Sequence, residues 1–282
     1  MIMKEKHEAI ARRTAQALEG RDKGGFIGLK CKVEKLTDDL LASLFPGHLS
    51  EEGQSATGEQ WFCNLFKQAA IVFSFVQRND AEDLSAQLLE SLPSIREMLE
   101  KDIEAAYRGD PAAKSLDEII LTYPAFMAIG TYRLAHAILA TGVPLIPRIM
   151  SEYAHRMTGI DIHPGAAIGP WFFIDHGTGV VIGETTTIGD HVKLYQHVTI
   201  GAKSFASNSD GSLVKGIKRH PDIGSNVIIY AGATLLGGDT KIGDRAVIGG
   251  NVWLTHSVAE GEIVLAEPPV LHHRTSTPIH ED

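Results

Sequence analysis

Asp161-Ile-His-Pro-Gly-Ala-Ala-Ile-Gly169, continued by Ile174-Asp-His-Gly-Thr-Gly-Val-Val-Ile-Gly-Glu184, carries an architecture in its spacing. Ile162, Ile168 and Ile174 recur at intervals of six, and after a two-residue slip Ile182, Ile188, Leu194 and Ile200 resume the interval. A helical period of 3.6 would scatter these residues, and a period of two would not single them out. The interval is the hexapeptide rhythm of a parallel β-helix, in which three units close one triangular coil and residues about eighteen apart stack. A second inward column, Ala166, Thr186, Val192 and Val198, follows the first at a fixed offset. Glycine comes directly after the aliphatic at Gly169, Gly183, Gly189 and Gly201, where a turn can need φ values that a side chain resists.

Downstream, the rhythm returns as Ile223, Ile229 and Leu235, slips by one residue, and runs on through Ile242, Ile248 and Leu254. Between the blocks lies a polar insertion, 203–222, which a solenoid tolerates only as an excursion at a corner. It ends on Lys218-Arg219-His220-Pro221. Past Leu254 the rhythm fades into Glu267-Pro-Pro-Val and a polar tail, 267–282. The paired His272 and His273 there fit an unstructured tail better than a metal site.

Upstream, the chain reads as helical. A charged lead over residues 1–20 gives way to a Gly-rich loop, and Thr37-Asp38-Asp39 reads as the cap of a short helix that Pro46-Gly47 stops. Glu59 to Gln77 forms a broadly apolar helix, Asp80 caps another through Leu84, Leu88 and Leu92, and a further helix follows Pro93. Asp110-Pro-Ala-Ala marks a turn before Leu116–Leu121, and Pro124 opens a helix ended by Gly142 and Pro144. The expected organisation is a helical domain over 1–158, whose excess apolar surface favours self-association, then a β-helix over 159–266.

Among 282 residues the net charge is −9, which argues against nucleic-acid partners that reward clustered Lys and Arg. Two cysteines, Cys31 and Cys63, are too few for a disulfide scaffold and lack metal spacing, so a reducing compartment is expected. The opening Met1-Ile-Met-Lys-Glu-Lys-His-Glu8 lacks an apolar core of signal-peptide length and no uninterrupted apolar run approaches a membrane span, so the expectation is a cytoplasmic protein without a membrane partner.

On such a platform a polar residue at a slip in the rhythm is the informative one. His176 sits at the two-residue slip, and a backbone out of register can aim its imidazole away from the coil. Imidazole is the default general base for an alcohol nucleophile, best when a carboxylate fixes its tautomer. Asp161, fifteen residues earlier, is a little under one coil away. A structural histidine is the competing reading. Arg219 with His220 suits a carboxylate, against the alternative of a solvated basic corner. His191 and His197, six apart, fall on adjacent faces and read as surface histidines rather than a metal pair.

Together with Tyr132-Arg-Leu-Ala-His136, Gln196-His-Val-Thr-Ile-Gly201 and Arg219-His-Pro-Asp-Ile-Gly224, these runs resemble the serine O-acetyltransferases of the hexapeptide acyltransferase superfamily. The match spans about Asp110 to Leu254, and Asp175-His-Gly-Thr-Gly179 is its most distinctive segment. The resemblance implies an α+β chain with a left-handed parallel β-helix, an exception to the right-handed crossover rule, assembled as a homotrimer or a dimer of trimers. It implies that His176 takes the serine hydroxyl proton while Asp161 holds the imidazole. Asp110 and Asp175 would surround the amino group of L-serine, and Arg219 and His220 its carboxylate. Asp117 and Glu118 are rivals for the amino-group role. Acetyl-CoA, the cosubstrate, would lie against Gly201, Ala202, Lys203, Ala231, Gly232, Gly249 and Gly250, with Lys241 a further phosphate partner and no metal needed.

Two departures stand out. The insertion replaces a shorter loop, and Leu265-Ala-Glu-Pro-Pro replaces a Val-Pro-Ala segment near the adenine end. The ending His280-Glu-Asp282 lacks the terminal Ile that docks into O-acetylserine sulfhydrylase, so no cysteine synthase complex by that route is expected. Feedback inhibition by cysteine is compatible with the same contacts. Two other readings are an acetyltransferase for another small acceptor, which would leave Arg219 without a partner, and a non-catalytic scaffold or γ-class carbonic anhydrase relative.

Overall fold

The computed structural model describes residues 26, 28–50, 58–76, 79–267 and 270. The lead expected over 1–20 and the tail with His272 and His273 lie outside the described residues. The helices are α1 (Leu29–Leu44), α2 (Pro46–Leu49), α3 (Glu59–Ser74), α4 (Ala81–Gly109), α5 (Leu116–Thr122), α6 (Pro124–Ala140) and α7 (Ile146–Thr158). Two compact units form: one from described residues up to Glu97 with Ile129–Ala154, the other from Met98–Ala128 with the chain from His155 onward.

In the first unit α1 and α3 bury Leu29, Val33, Leu36 and Leu40 with Leu65, Ala69, Val72 and Phe73. The sequence-based start of α1 is corrected here. Thr37 is no cap but lies fully buried inside the helix, its hydroxyl donating to the Val33 carbonyl at 2.8 Å. The apolar period simply runs back to Leu29, and it outweighs a local cap signal. Pro93 likewise does not divide α4, which continues for 29 residues. An interior proline removes one backbone hydrogen bond. Leu84, Leu88, Leu92, Ile95, Leu99 and Ile103 make one unbroken buried stripe that keeps the helix whole. No helix among the described residues is long and apolar enough to cross a membrane.

The second unit is a stack of coils with two- or three-residue strands in three sheets, all paired parallel. The first sheet runs β1 (Asp161–Ile162), β4 (Val181–Ile182), β7 (Thr199–Gly201), β10 (Thr234–Leu236), β13 (Trp253–Leu254). The second runs β2 (Ala167–Ile168), β5 (Thr187–Ile188), β8 (Asp222–Ile223), β11 (Lys241–Ile242). The third runs β3 (Phe173–Ile174), β6 (Lys193–Leu194), β9 (Ile228–Ile229), β12 (Val247–Ile248), β14 (Ile263–Val264). A regular coil pairs residues 18 apart, Val181 with Thr199; the slip at His176 stretches this to 20, Asp161 with Val181. Across the insertion Thr199 still meets Thr234, so register survives the excursion.

Both columns read from the sequence point inward: Ile162, Ile174, Ile182, Leu194, Ile200, Ile229, Leu235 and Ile248 are at most 3% exposed, as are Ala166, Thr186, Val192 and Val198. The role expected of the glycines is corrected. Gly169, Gly183, Gly189 and Gly201 do not have positive φ. They are required by crowding, since a Cβ on Gly169 would stand 2.4 Å from Asp190 Oδ1 and one on Gly189 2.5 Å from Ser225 Oγ. The left-handed residues sit elsewhere, two before a strand: Trp171, His191, Asn226 and Arg245 before the third sheet, and Gly179, His197, Gly232 and Asn251 before the first. The insertion is a hairpin excursion, with Ser207 bridged antiparallel to Leu213 and Asn208 donating to the Ser212 carbonyl at 2.8 Å.

Candidate active site

The slip places His176 at the corner between the third and first sheets. Its φ is +59° and its side chain is 71% exposed, so the imidazole projects outward. Gly177 makes this turn possible, with φ +85° and no room for a Cβ, which would lie 2.4 Å from Ile160 Cδ1. Beside His176, the buried carboxylate of Asp175 approaches Lys193 Nζ at 3.2 Å through Oδ2 and His176 Nδ1 at 3.7 Å through Oδ1. Lys193 also donates to the Gly109 carbonyl at 2.8 Å and lies over the rings of Phe173 and Tyr195. Burial pulls its pKa down, but hydrogen bonds with Tyr195 and Asp175 outweigh that and leave it raised.

Asp110 belongs to the same corner. Where α4 ends, its Oδ1 accepts from the Ala112 N–H at 2.8 Å and its Oδ2 from the Tyr123 hydroxyl. The Tyr123 bond, then the Ala112 N–H, hold the carboxyl below its ordinary range, with the charges of Lys193 and His176 adding to the effect. The same bond, followed by burial, pushes the Tyr123 phenol up to about 12. Of the two rivals, Glu118 is engaged in capping α5: its N–H donates to Ser115 Oγ at 3.1 Å and its carboxylate accepts from the Lys114 N–H at 2.6 Å. Asp117 lies in the first turn of the same helix and is exposed.

Asp161 opens β1 beside Val181, its N–H donating to the Val180 carbonyl at 2.9 Å. Among the described residues, the carboxylate paired with the His176 ring within 4.0 Å is that of Asp175.

Arg219 and His220 arrive from the insertion at the next corner, between the first and second sheets. The Arg219 guanidinium pairs with Glu184, and that bond holds the Glu184 carboxyl below its usual value. His220 is 7% exposed. Thr185 organises both residues: its Oγ1 accepts the backbone N–H of Arg219 at 3.0 Å and of His220 at 3.1 Å, and lies 2.9 Å from His220 Nδ1. Burial, then the Arg219 charge, lower the His220 pKa to about 4, so this ring is neutral where the sequence left open a cation. Gly183 makes room for it, since a Cβ there would meet Cδ2 and Nε2 at 2.2 Å.

The remaining candidates divide between the same two corners. Ala231, Gly232, Gly249 and Gly250 stack on the His176 side, where Asn251 N–H donates to the Ala231 carbonyl at 2.9 Å and a Cβ on Gly250 would lie 3.2 Å from that oxygen. Tyr195 and Tyr230 stack at 5.1 Å in the same column, one coil and two coils beyond Asp175. Gly201, Ala202 and Lys203 instead leave the far edge of the first sheet, where the Gly237 N–H donates to the Gly201 carbonyl at 3.2 Å. His191 and His197 are exposed, His191 stacked on Trp171 at 5.2 Å, and no group of three or more His, Cys, Asp or Glu suited to a metal occurs among the described residues.

Four side chains at these corners escaped the sequence reading. Glu184 closes the quoted run and Thr185 follows it, and a polar pair after an inward Ile-Gly was their only signal. Lys193 and Tyr123 carry no local motif: each is defined by a partner far away in sequence, Gly109 and Asp110.

No family model matches the chain. Over 206 residues it is 52% identical to the plasmid serine acetyltransferase of Synechococcus elongatus, covering 73% of this chain and 64% of that protein. The chain therefore spans just under two thirds of that relative's length. It is 45% identical over 167 residues to serine acetyltransferase of Mycobacterium tuberculosis, covering 59% of this chain and 69% of the relative. Among solved structures it is similar to Entamoeba histolytica serine acetyltransferase 1 in complex with L-cysteine, with a TM-score of 0.74 and 38% identity over 83% of this chain and 86% of that one.

Proposed function

Since the chain belongs to the serine acetyltransferase family, we propose that it transfers the acetyl group of acetyl-CoA to the hydroxyl of L-serine, giving O-acetylserine and CoA at the entry to cysteine biosynthesis. The observation that carries this reading is the pairing of complementary groups across one coil. Two carboxylates, one of them against Lys193, gather with an exposed imidazole at one corner, and a guanidinium shared with Glu184 lies beside a neutral imidazole at the next. That pattern is complementary to a zwitterionic amino acid bearing a nucleophilic hydroxyl.

Within one chain the corners lie on either side of β4 (Val181–Ile182), and the span from Val180 to Gly183 alone is roughly 10 Å at ~3.3 Å per residue. The ammonium nitrogen and carboxylate carbon of serine are only about 2.5 Å apart. One serine is therefore held between two copies, the His176 corner of one facing the Arg219 corner of the next. The distance calls for at least two copies, and the resemblance to the family implies which assembly: a homotrimer of left-handed β-helices, alone or paired into a hexamer, held together through the helical segment.

In that setting Asp110 and Asp175 hold the ammonium, and Arg219 and His220 the carboxylate. His176 accepts the hydroxyl proton, the serine oxygen attacks the thioester carbonyl, the carbon–sulfur bond breaks, and the proton passes to the departing CoA sulfur. Asp161 fixes the imidazole for this step, with Asp175 the nearer carboxylate in the isolated chain. CoA follows the column Ala231, Gly232, Gly249 and Gly250 above His176, while Gly201, Ala202 and Lys203 of the facing copy line its other side. L-cysteine, bound by the Entamoeba relative, has the same ammonium and carboxylate and competes for both corners.

The test is CoA release with L-serine, homoserine and a carboxylate-free amino alcohol, in wild type, His176→Ala, Asp161→Asn and Asp175→Asn. Turnover with serine is expected, falling by at least about 10²-fold in His176→Ala, with Asp161→Asn lowering kcat and Asp175→Asn raising KM. Equal turnover of the amino alcohol would sink the serine reading.

A further inference from the structure

We propose that Thr185 is a positioning residue that fixes His220 as the tautomer carrying its proton on Nε2, so that the ring offers a donor and no acceptor to the substrate carboxylate. This rests on the reading that Arg219 and His220 face that carboxylate.

The argument is an accounting of one hydroxyl. Thr185 Oγ1 has two lone pairs and one proton. The backbone N–H groups of Arg219 and His220 donate to it at 3.0 and 3.1 Å and take both lone pairs. Its proton then has one acceptor within reach, His220 Nδ1 at 2.9 Å. The Thr185 backbone N–H donates to the same nitrogen at 3.1 Å. A ring nitrogen that receives two donors has no place for a proton of its own, so the proton sits on Nε2. That nitrogen lies against Gly183, in space that any side chain there would occupy.

The charged and titratable groups felt by the ring are Arg219, Glu184, Lys218 and His163; burial, Arg219, Lys218 and His163 favour the neutral form, and Glu184 alone opposes it. The division of labour at this corner follows. Arg219, already shared with Glu184, supplies the full charge. His220 supplies direction without a second charge, and its orientation is set by a residue that never touches substrate.

The experiment uses the full chain with ring-¹⁵N histidine. Two-bond proton–nitrogen correlation reads the tautomer of His220, identified by the signal lost in His220→Gln. An Nε2–H pattern is expected in wild type at neutral pH. Thr185→Val keeps the backbone N–H but loses the hydroxyl; it is expected to mix the tautomers and raise the KM for serine about tenfold, carried by KM rather than kcat, roughly the value of one lost hydrogen bond. Thr185→Ser is expected to restore both readings. An Nδ1–H ring or an imidazolium in wild type, or a Thr185→Val ring unchanged from wild type, overturns the proposal. An Nε2–H ring together with a serine KM unmoved in His220→Gln sinks the carboxylate reading, and with it the role given to Thr185.

Discussion

Replacing Lys193 by Met should loosen the His176 corner while preserving its shape. The methylene stem keeps its packing, but three polar relations of the ammonium end. Asp175 loses its 3.2 Å partner, with both side chains mostly buried at 18% and 12% exposure. Removing one partner of a fully buried pair costs about 3–5 kcal/mol, and since water reaches this pair we take about half, ~2 kcal/mol. The Gly109 carbonyl loses a donor at 2.8 Å, about 1 kcal/mol. The contacts over Phe173 and Tyr195, at 4.9 and 4.5 Å, add about 0.5 kcal/mol. Lys193→Met should therefore cost about 3–4 kcal/mol, measured by urea unfolding at one fixed protomer concentration so that any concentration dependence is common to both proteins. In the double variant with Asp175→Asn the unpaired charge is gone, and about 1–2 kcal/mol should return. A single variant within 0.5 kcal/mol of wild type, or a double variant no more stable than the single, would refute the assignment of Lys193 as the clamp between Gly109 and Asp175.

Two further outcomes follow from the second corner. His220 has a folded pKa of about 4 against an ordinary 6.5, so the unfolded chain takes up its proton first; the stability from this group is complete above about 6.5 and is lost as pH falls toward 4. Between pH 7 and 5 wild type should lose about 2 kcal/mol more than His220→Gln, and parallel losses in urea melts at the two pH values would show the ring is not buried neutral. Gly183→Ala forces the His220 ring from 2.2 Å to ordinary contact, a shift of more than about 1 Å that breaks its bonds to Thr185 and should raise the KM for serine about tenfold; a KM within twofold of wild type at an unchanged circular dichroism spectrum would contradict that packing.

The fold was legible because its signal is repeated. Ile162, Ile182, Ile200, Leu235 and Leu254 each occupy the inward position of a strand in one sheet, and an inward aliphatic that returns on every coil outvotes any local ambiguity. Single positions were read less well. The glycines after the aliphatics were found, but the reason was not, because the crowding side chain belongs to the next coil, as Asp190 does for Gly169 and His220 for Gly183, whereas φ is a local property. The cap at Thr37 and the break at Pro93 failed for the opposite reason: strong local signals were overruled by a buried stripe on either side.

At the candidate site the acidic and basic residues at the slip and the loop exit could be seen, since a charged residue interrupting a hexapeptide rhythm is conspicuous. Their supports could not. Tyr123 reaches back 13 residues to Asp110, Lys193 reaches 84 to Gly109, and Thr185 gathers Arg219 and His220 from across the insertion. None of these relations has a spacing that a sequence alone would mark.

The excursion between β7 and β8 behaves as a splice point. The chain leaves after Gly201 and re-enters at Asp222 with Thr199 still facing Thr234, so the coils above and below register nothing of what lies between. Stability is thereby uncoupled from the length of this segment, while the position of Arg219 is not: its approach is fixed only in the last few residues, where Lys218 is tied to Thr185 and Asp222 and a Cβ on Gly238 would lie 2.7 Å from the Lys218 carbonyl. Foreign sequence can be grafted into the hairpin tip around Asn208–Ser212 without disturbing that anchor, whereas a graft after Ile217 would move the guanidinium itself.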